Sequence, residues 1–143
     1  LLADIIARTN KEYILIGHSL GARVIYSCLA ALKTKEQCFI KEVHLLGGAV
    51  NNSCLSDSDC SGGVNWSGID SSVSGSIYNY FSSNDSVLQY LYKAGEFVKF
   101  DIGEPIGRNK ISNTEIKNVD VSDFVNGHTE YKAKMQSFLV NCN

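Results

Sequence analysis

Tyr13-Ile14-Leu15-Ile16-Gly17-His18-Ser19-Leu20-Gly21-Ala22-Arg23-Val24-Ile25 is the stretch on which the fold turns. Its first four residues form a short continuous apolar run, the pattern of a strand buried on both faces. Val24, Ile25, Cys28, Leu29 and Leu32 then recur at helical spacing, so a helix is expected from Leu20 onward. Between the two lies Gly17-x-Ser19-x-Gly21. A serine so placed sits on a strained turn that lifts its Oγ clear of the sheet. Side chains at positions 17 and 21 are expected to collide with the neighbouring strand and helix. The helix N-terminus behind Ser19 favours negative charge. The backbone N–H of Leu20 is aimed where an oxyanion would form. The plainer alternative is a strand-to-helix turn with Ser19 as a helix cap.

Upstream, Leu1, Leu2, Ile5 and Ile6 share one helical face, and Asn10 is a plausible stop. Downstream, residues 43–46 form a second buried strand closed by Gly47-Gly48. Residues 51–75 are rich in Ser, Asn, Asp and Gly and read as a long surface excursion that Trp66 tacks to the body. Residues 76–81 make a third strand. Val87, Leu88 and Leu91 follow on a helix that Asp85 can cap. Residues 97–100 read as a short extended piece before Pro105. A fourth strand covers residues 116–121. Gly127-His128 leads into a last helix with Tyr131, Met135, Phe138 and Leu139 on its inner face. This alternation predicts an α/β fold, a mostly parallel sheet of about four strands flanked by helices.

The chain has 143 residues, enough for one domain spanning 1–143 around one core. A net charge of −2 gives no electrostatic footprint for a nucleic-acid binder. No Lys/Arg cluster suggests a membrane-surface patch, and no apolar run approaches the roughly 20 residues of a membrane span. Without a signal peptide or initiating Met, and opening as if in mid-helix, the chain reads as part of a longer protein. Its five cysteines, Cys28, Cys38, Cys54, Cys60 and Cys142, lack metal-site spacing. Neither a metal nor a cofactor is expected. Cys28 lies on the apolar face of its helix and is expected as a buried thiol. Cys54 and Cys60 flank a polar loop and are candidates for a bridge in an oxidising compartment. The compartment stays open, with free buried thiols leaning toward the cytoplasm.

An activated serine needs a general base, and the base needs an orienting carboxylate. Two histidines follow Ser19. His44 falls inside a strand run and reads as a core residue, whereas His128 follows the last strand on a turn, where a base belongs. Asp85 stands at the end of the third strand, as the acid should. Asp120 and Asp123 are rivals displaced toward the last strand. Asp57 and Asp59, two carboxylates in the polar loop, are too few for a calcium site. His18, inside the elbow, points away from the nucleophile and is a candidate to line the substrate cleft.

Four segments resemble one family. Residues 15–26 carry its elbow; Val43-His44-Leu45-Leu46-Gly47-Gly48-Ala49-Val50 and Asn79-Tyr80-Phe81-Ser82-Ser83-Asn84-Asp85-Ser86-Val87-Leu88 follow in order. The last is Asn118-Val119-Asp120-Val121-Ser122-Asp123-Phe124-Val125-Asn126-Gly127-His128-Thr129-Glu130-Tyr131. Together they resemble the α/β-hydrolases called domain of unknown function 726. The resemblance implies a partial α/β-hydrolase with its first strands absent and a triad at Ser19, Asp85 and His128. It implies no substrate. It also implies that the second oxyanion donor lies on chain before the elbow strand, so that this stretch alone is weak or inactive.

The resulting expectation is a serine hydrolase that cleaves carboxylic esters, lipase- or esterase-like, through an acyl-enzyme. Its partner would be a small-molecule or lipid ester, with no nucleic acid. The free edge of the 13–16 strand invites a second copy or a preceding segment. The alternatives are another acyl hydrolase (thioesterase, amidase or peptidase) and a non-catalytic module of the same fold.

Overall fold

The computed structural model describes residues 1–35, 37–52, 64–93, 104–112 and 114–139. The elements run α1 (Leu2–Thr9), β1 (Tyr13–His18), α2 (Leu20–Leu32), β2 (Ile40–Leu46), a 3₁₀ turn (Ile69–Ser72), β3 (Ile77–Phe81), α3 (Ser86–Lys93), β4 (Lys117–Asp120) and α4 (Glu130–Phe138). The four strands pair in the order β1-β2-β3-β4, every pair parallel. This is the expected α/β fold, a parallel sheet flanked by helices. Because all strands run the same way, the turns after β1, β3 and β4 open on one edge of the sheet. That edge gathers the candidate residues.

Strand alternation divides the core in two. Val43, Leu45 and Ile77 face a cluster with Ile6 of α1 and Ile25, Cys28, Leu29 and Leu32 of α2. Leu46, Tyr78 and Tyr80 face Tyr131 and Phe138 of α4. Asn10, in the left-handed conformation at φ 51°, ends α1. Cys28 is buried as a free thiol, and burial pushes it above the ordinary thiol range.

Four expectations need correction. The β1 run is not buried on both faces: Ile14 and Ile16 are 42% and 50% exposed. β1 lies at the end of the sheet order, and the apolar residues of α4 cluster with β2 and β3 instead. Likewise α1 buries Ile6 but leaves Leu1 and Ile5 in solvent, and α2 leaves Val24 there. The second half of the 51–75 excursion is not a surface loop. Val64, Trp66, Ile69 and Val73 belong to the core, Trp66 donates its Nε1–H to the Asn51 carbonyl at 2.8 Å, and Val73 bridges to Ile40. Finally, only one elbow glycine is sterically enforced. A Cβ on Gly17 would sit 2.6 Å from Ile25 Cδ1 and 2.8 Å from the Gly21 carbonyl carbon, but one on Gly21 would meet nothing within 4 Å.

Cys54, Cys60, Cys142, Asp57, Asp59 and the 97–100 piece lie outside the described residues, as does the Leu91 side chain.

Candidate functional site

Ser19 follows β1 and caps α2 with φ 56° and ψ −120°, a backbone state that L residues rarely adopt. Such a state persists only where the surroundings over-determine it. Here the Ser19 N–H donates to the Leu46 carbonyl at 3.0 Å. Its carbonyl accepts from Ala49 at 3.0 Å and from Ala22 at 3.1 Å. The close approach of α2 to the missing Gly17 side chain completes the turn. Ser19 makes no side-chain capping bond, so its hydroxyl is left for another partner. Leu20 opens α2, so its N–H has no acceptor within the helix.

That partner is His128, carried by the turn between β4 and α4. Its Nε2 lies 2.8 Å from Ser19 Oγ, and its Nδ1 lies 2.7 Å from Asp85 Oδ2. An ionised carboxylate only accepts, so Nδ1 carries the hydrogen and Nε2 is left to accept the serine O–H. Asp85, fully buried in the turn after β3, also takes the Leu88 N–H on Oδ1 at 3.1 Å. It therefore caps α3 and holds His128 at once. Buried carboxylates need such partners. Its backbone carbonyl accepts from Arg108 Nη1 at 2.6 Å. The turns bearing Asp85 and His128 are tied together, because buried Ser82 donates its hydroxyl to the Val125 carbonyl at 2.7 Å.

Other candidates lie elsewhere. Asp120 accepts from the backbone and hydroxyl of Ser122, and Asp123 is exposed. His44 is buried in the sheet, its Nδ1 3.0 Å from the Tyr80 hydroxyl and its ring stacked on Tyr78. Burial pushes its pKa down, against a smaller upward pull from Glu42. His18, expected to line a cleft, turns onto His128: its Nε2 lies 2.8 Å from the His128 carbonyl, and the two rings lie 4.8 Å apart.

Sequence reasoning did not single out Ser82 or Arg108, since each acts through a partner 43 or 23 residues away. Tyr131, read only as a core residue, packs where a Gly47 side chain would stand and donates its hydroxyl to the Gly107 carbonyl at 3.2 Å. Gly47 itself has φ +51°, which signals a glycine requirement that the Gly-Gly pair alone could have suggested. Among the described residues there is no group of three or more His, Cys, Asp or Glu able to hold a metal ion. Among them, too, no helix is long and apolar enough to cross a membrane.

A parallel α/β sheet that joins a strained serine, a histidine and a buried aspartate at one edge defines the class of this chain. It belongs to the family described as proteins of unknown function, DUF726, whose model matches residues 1–143. It is 36% identical over 97% of its length to "Uncharacterized membrane protein C6F6.13c" of Schizosaccharomyces pombe. It is 33% identical over 97% of its length to "Probable lipase MIL1" of Saccharomyces cerevisiae. It is 30% identical over 97% of its length to "Transmembrane and coiled-coil domain-containing protein STS1" of Oryza sativa subsp. japonica. The chain spans 17%, 12% and 20% of these three relatives, respectively. No solved structure matches it.

Proposed function

We propose that this chain carries the catalytic centre of a serine hydrolase acting on carboxylic esters. The observation that carries the reading is the unbroken chain from Ser19 Oγ to His128 Nε2 at 2.8 Å and from His128 Nδ1 to Asp85 Oδ2 at 2.7 Å. In it, Ser19 Oγ attacks the ester carbonyl while His128 Nε2 takes the hydroxyl proton. The Leu20 N–H faces the oxyanion from the N-terminus of α2, where the helix dipole favours negative charge. Collapse breaks the ester C–O bond, and His128 returns the proton to the leaving alcohol. Water then attacks the acyl-enzyme, giving a proton to His128, which passes it to Ser19 Oγ as the ester bond to the serine breaks and the acid leaves. Asp85 keeps the ring in the productive tautomer and balances the imidazolium throughout. The strained backbone at Ser19 adds support, because such strain concentrates at reacting groups. The ester class draws on the relative named a probable lipase.

The test is labelling with a fluorophosphonate probe in the full-length protein, alongside Ser19→Ala and a panel of p-nitrophenyl esters, thioesters and peptides. Labelling that vanishes in Ser19→Ala, with turnover of the esters, is expected. Labelling that is absent, or indifferent to Ser19, sinks the reading. Turnover confined to thioesters or peptides moves the substrate class and leaves the centre intact.

A further inference from the structure

We propose that His18 is a positioning residue that locks the backbone of His128 so that its ring stays between Ser19 and Asp85. This rests on the reading of Ser19 and His128 given above.

A carbonyl oxygen accepts only, so His18 Nε2, at 2.8 Å from the His128 carbonyl, must carry a hydrogen and donate it. The His128 ring is already bonded at both nitrogens. Those two bonds orient the ring but leave the peptide that carries it free to rotate. That peptide lies in a turn closed by the Glu130 N–H on the Gly127 carbonyl at 3.0 Å. The bond from His18 removes the remaining freedom. The His18 ring is itself wedged, with the His128 ring at 4.8 Å and the Tyr131 ring at 5.6 Å between centroids. Tyr131 in turn is fully buried and anchored to Gly107.

The device works because of chain position. His18 is the residue before Ser19, on the last position of β1. The strand end that presents the nucleophile therefore also grips the base, and the two cannot drift apart independently. A neutral His18 suits the role. A charged ring 4.8 Å from His128 would oppose proton uptake there. Burial holds His18 below the ordinary imidazole range, against a smaller upward pull from its hydrogen bond to the His128 carbonyl.

The experiment uses the full-length protein and compares His18→Phe, His18→Asn and His18→Gln. Phe keeps a ring and loses the donor; the Asn amide is too short to reach the carbonyl; the Gln amide nitrogen falls about where Nε2 lies. The readouts are the rate of Ser19-dependent fluorophosphonate labelling, kcat and KM on a p-nitrophenyl ester, and thermal unfolding. His18→Phe and His18→Asn are expected to slow labelling and kcat about tenfold, with KM nearly unchanged and Tm lowered by only a few degrees, the scale of one lost hydrogen bond. His18→Gln should recover most of the rate. If His18→Phe does not fold, the Asn and Gln pair decides. Wild-type rates without the donor, no recovery in His18→Gln, or a change in KM alone would overturn the proposal. Failure of the wild type to label at Ser19 removes the hydrolase reading, and this inference with it. Normal wild-type labelling with insensitive variants removes this inference only.

Discussion

Gly17→Ala and Gly21→Ala change the same motif by the same methyl group and should have opposite consequences. At position 17 the new Cβ would stand 2.6 Å from Ile25 Cδ1, 2.8 Å from Gly21 C and 2.9 Å from Gly21 O. Comfortable carbon contacts lie near 3.5–4.0 Å, so a gap of roughly 1 Å must open. Ile25 Cδ1 can swing away, but the Gly21 contacts are backbone and yield only if α2 retreats from β1. Overpacking of this kind costs about 1–3 kcal/mol. The displacement falls two residues from Ser19, whose hydroxyl sits 2.8 Å from His128. A misplacement of about 1 Å can cost about 10²-fold in rate. At position 21 nothing lies within 4 Å, and the residue is the second of α2. Alanine there should be neutral, or stabilising by up to about 1 kcal/mol, since glycine is the weaker helix former. Urea unfolding of the two variants beside wild type, with fluorophosphonate labelling of each, measures both effects. Equal losses, or a Gly17→Ala variant as stable as wild type, would refute the steric reasoning.

Three further outcomes follow from the buried groups. His44 has a folded-state pKa below its unfolded value, so the unfolded chain binds the extra proton first; its contribution to stability is full above the ordinary imidazole pKa and is lost as pH falls through it. Chemical denaturation from pH 7.5 to 5 should show stability falling by up to about 1.4 kcal/mol per pH unit per proton, and His44→Gln should flatten that slope; an unchanged slope rules His44 out as its source. Cys28, 3% exposed with its thiol pushed up by burial, should resist iodoacetamide in the native protein at pH 8 and react on unfolding, as peptide mapping will show; native alkylation there contradicts the packing. Asp85→Asn should keep most of the α3 cap, since an amide oxygen can still accept from Leu88, while Ser19-dependent ester turnover drops by up to about 10⁴, the scale expected when the ring loses its tautomer control. Turnover within a few fold of wild type would show that Asp85 does not orient His128.

The local patterns were legible in the sequence because local physics writes them. An apolar run, a glycine-flanked serine and a helical repeat are properties of neighbouring residues, and they marked β1, the elbow and α2. The alternation of elements implied a parallel sheet, and parallel strands bring their C-terminal ends to one edge. That alone was enough to nominate Asp85 and His128 from their places after β3 and β4. The choice between Asp85 and the rivals Asp120 and Asp123 depends on which carboxylate reaches the ring, and no local pattern specifies that. Asp120 is committed to Ser122, two residues away, whereas Asp85 reaches across 43 residues to His128.

The sequence by itself thus determined which residues have the right chemistry, and on which turn each one sits. Only the tertiary structure decided how they meet. Strand order brings Ser19 and His128 together across 109 residues of chain. It also leaves Ile14 and Ile16 in solvent, because burial depends on what covers a strand as well as on what the strand is made of. The same packing left no room for a side chain at Gly17 beside α2 and left Gly21 with open space. It turned His18 from a residue facing away from the nucleophile into the one that grips the histidine beside it. Hydrogen bonds and contact distances between remote segments follow from register and packing, which no local pattern encodes.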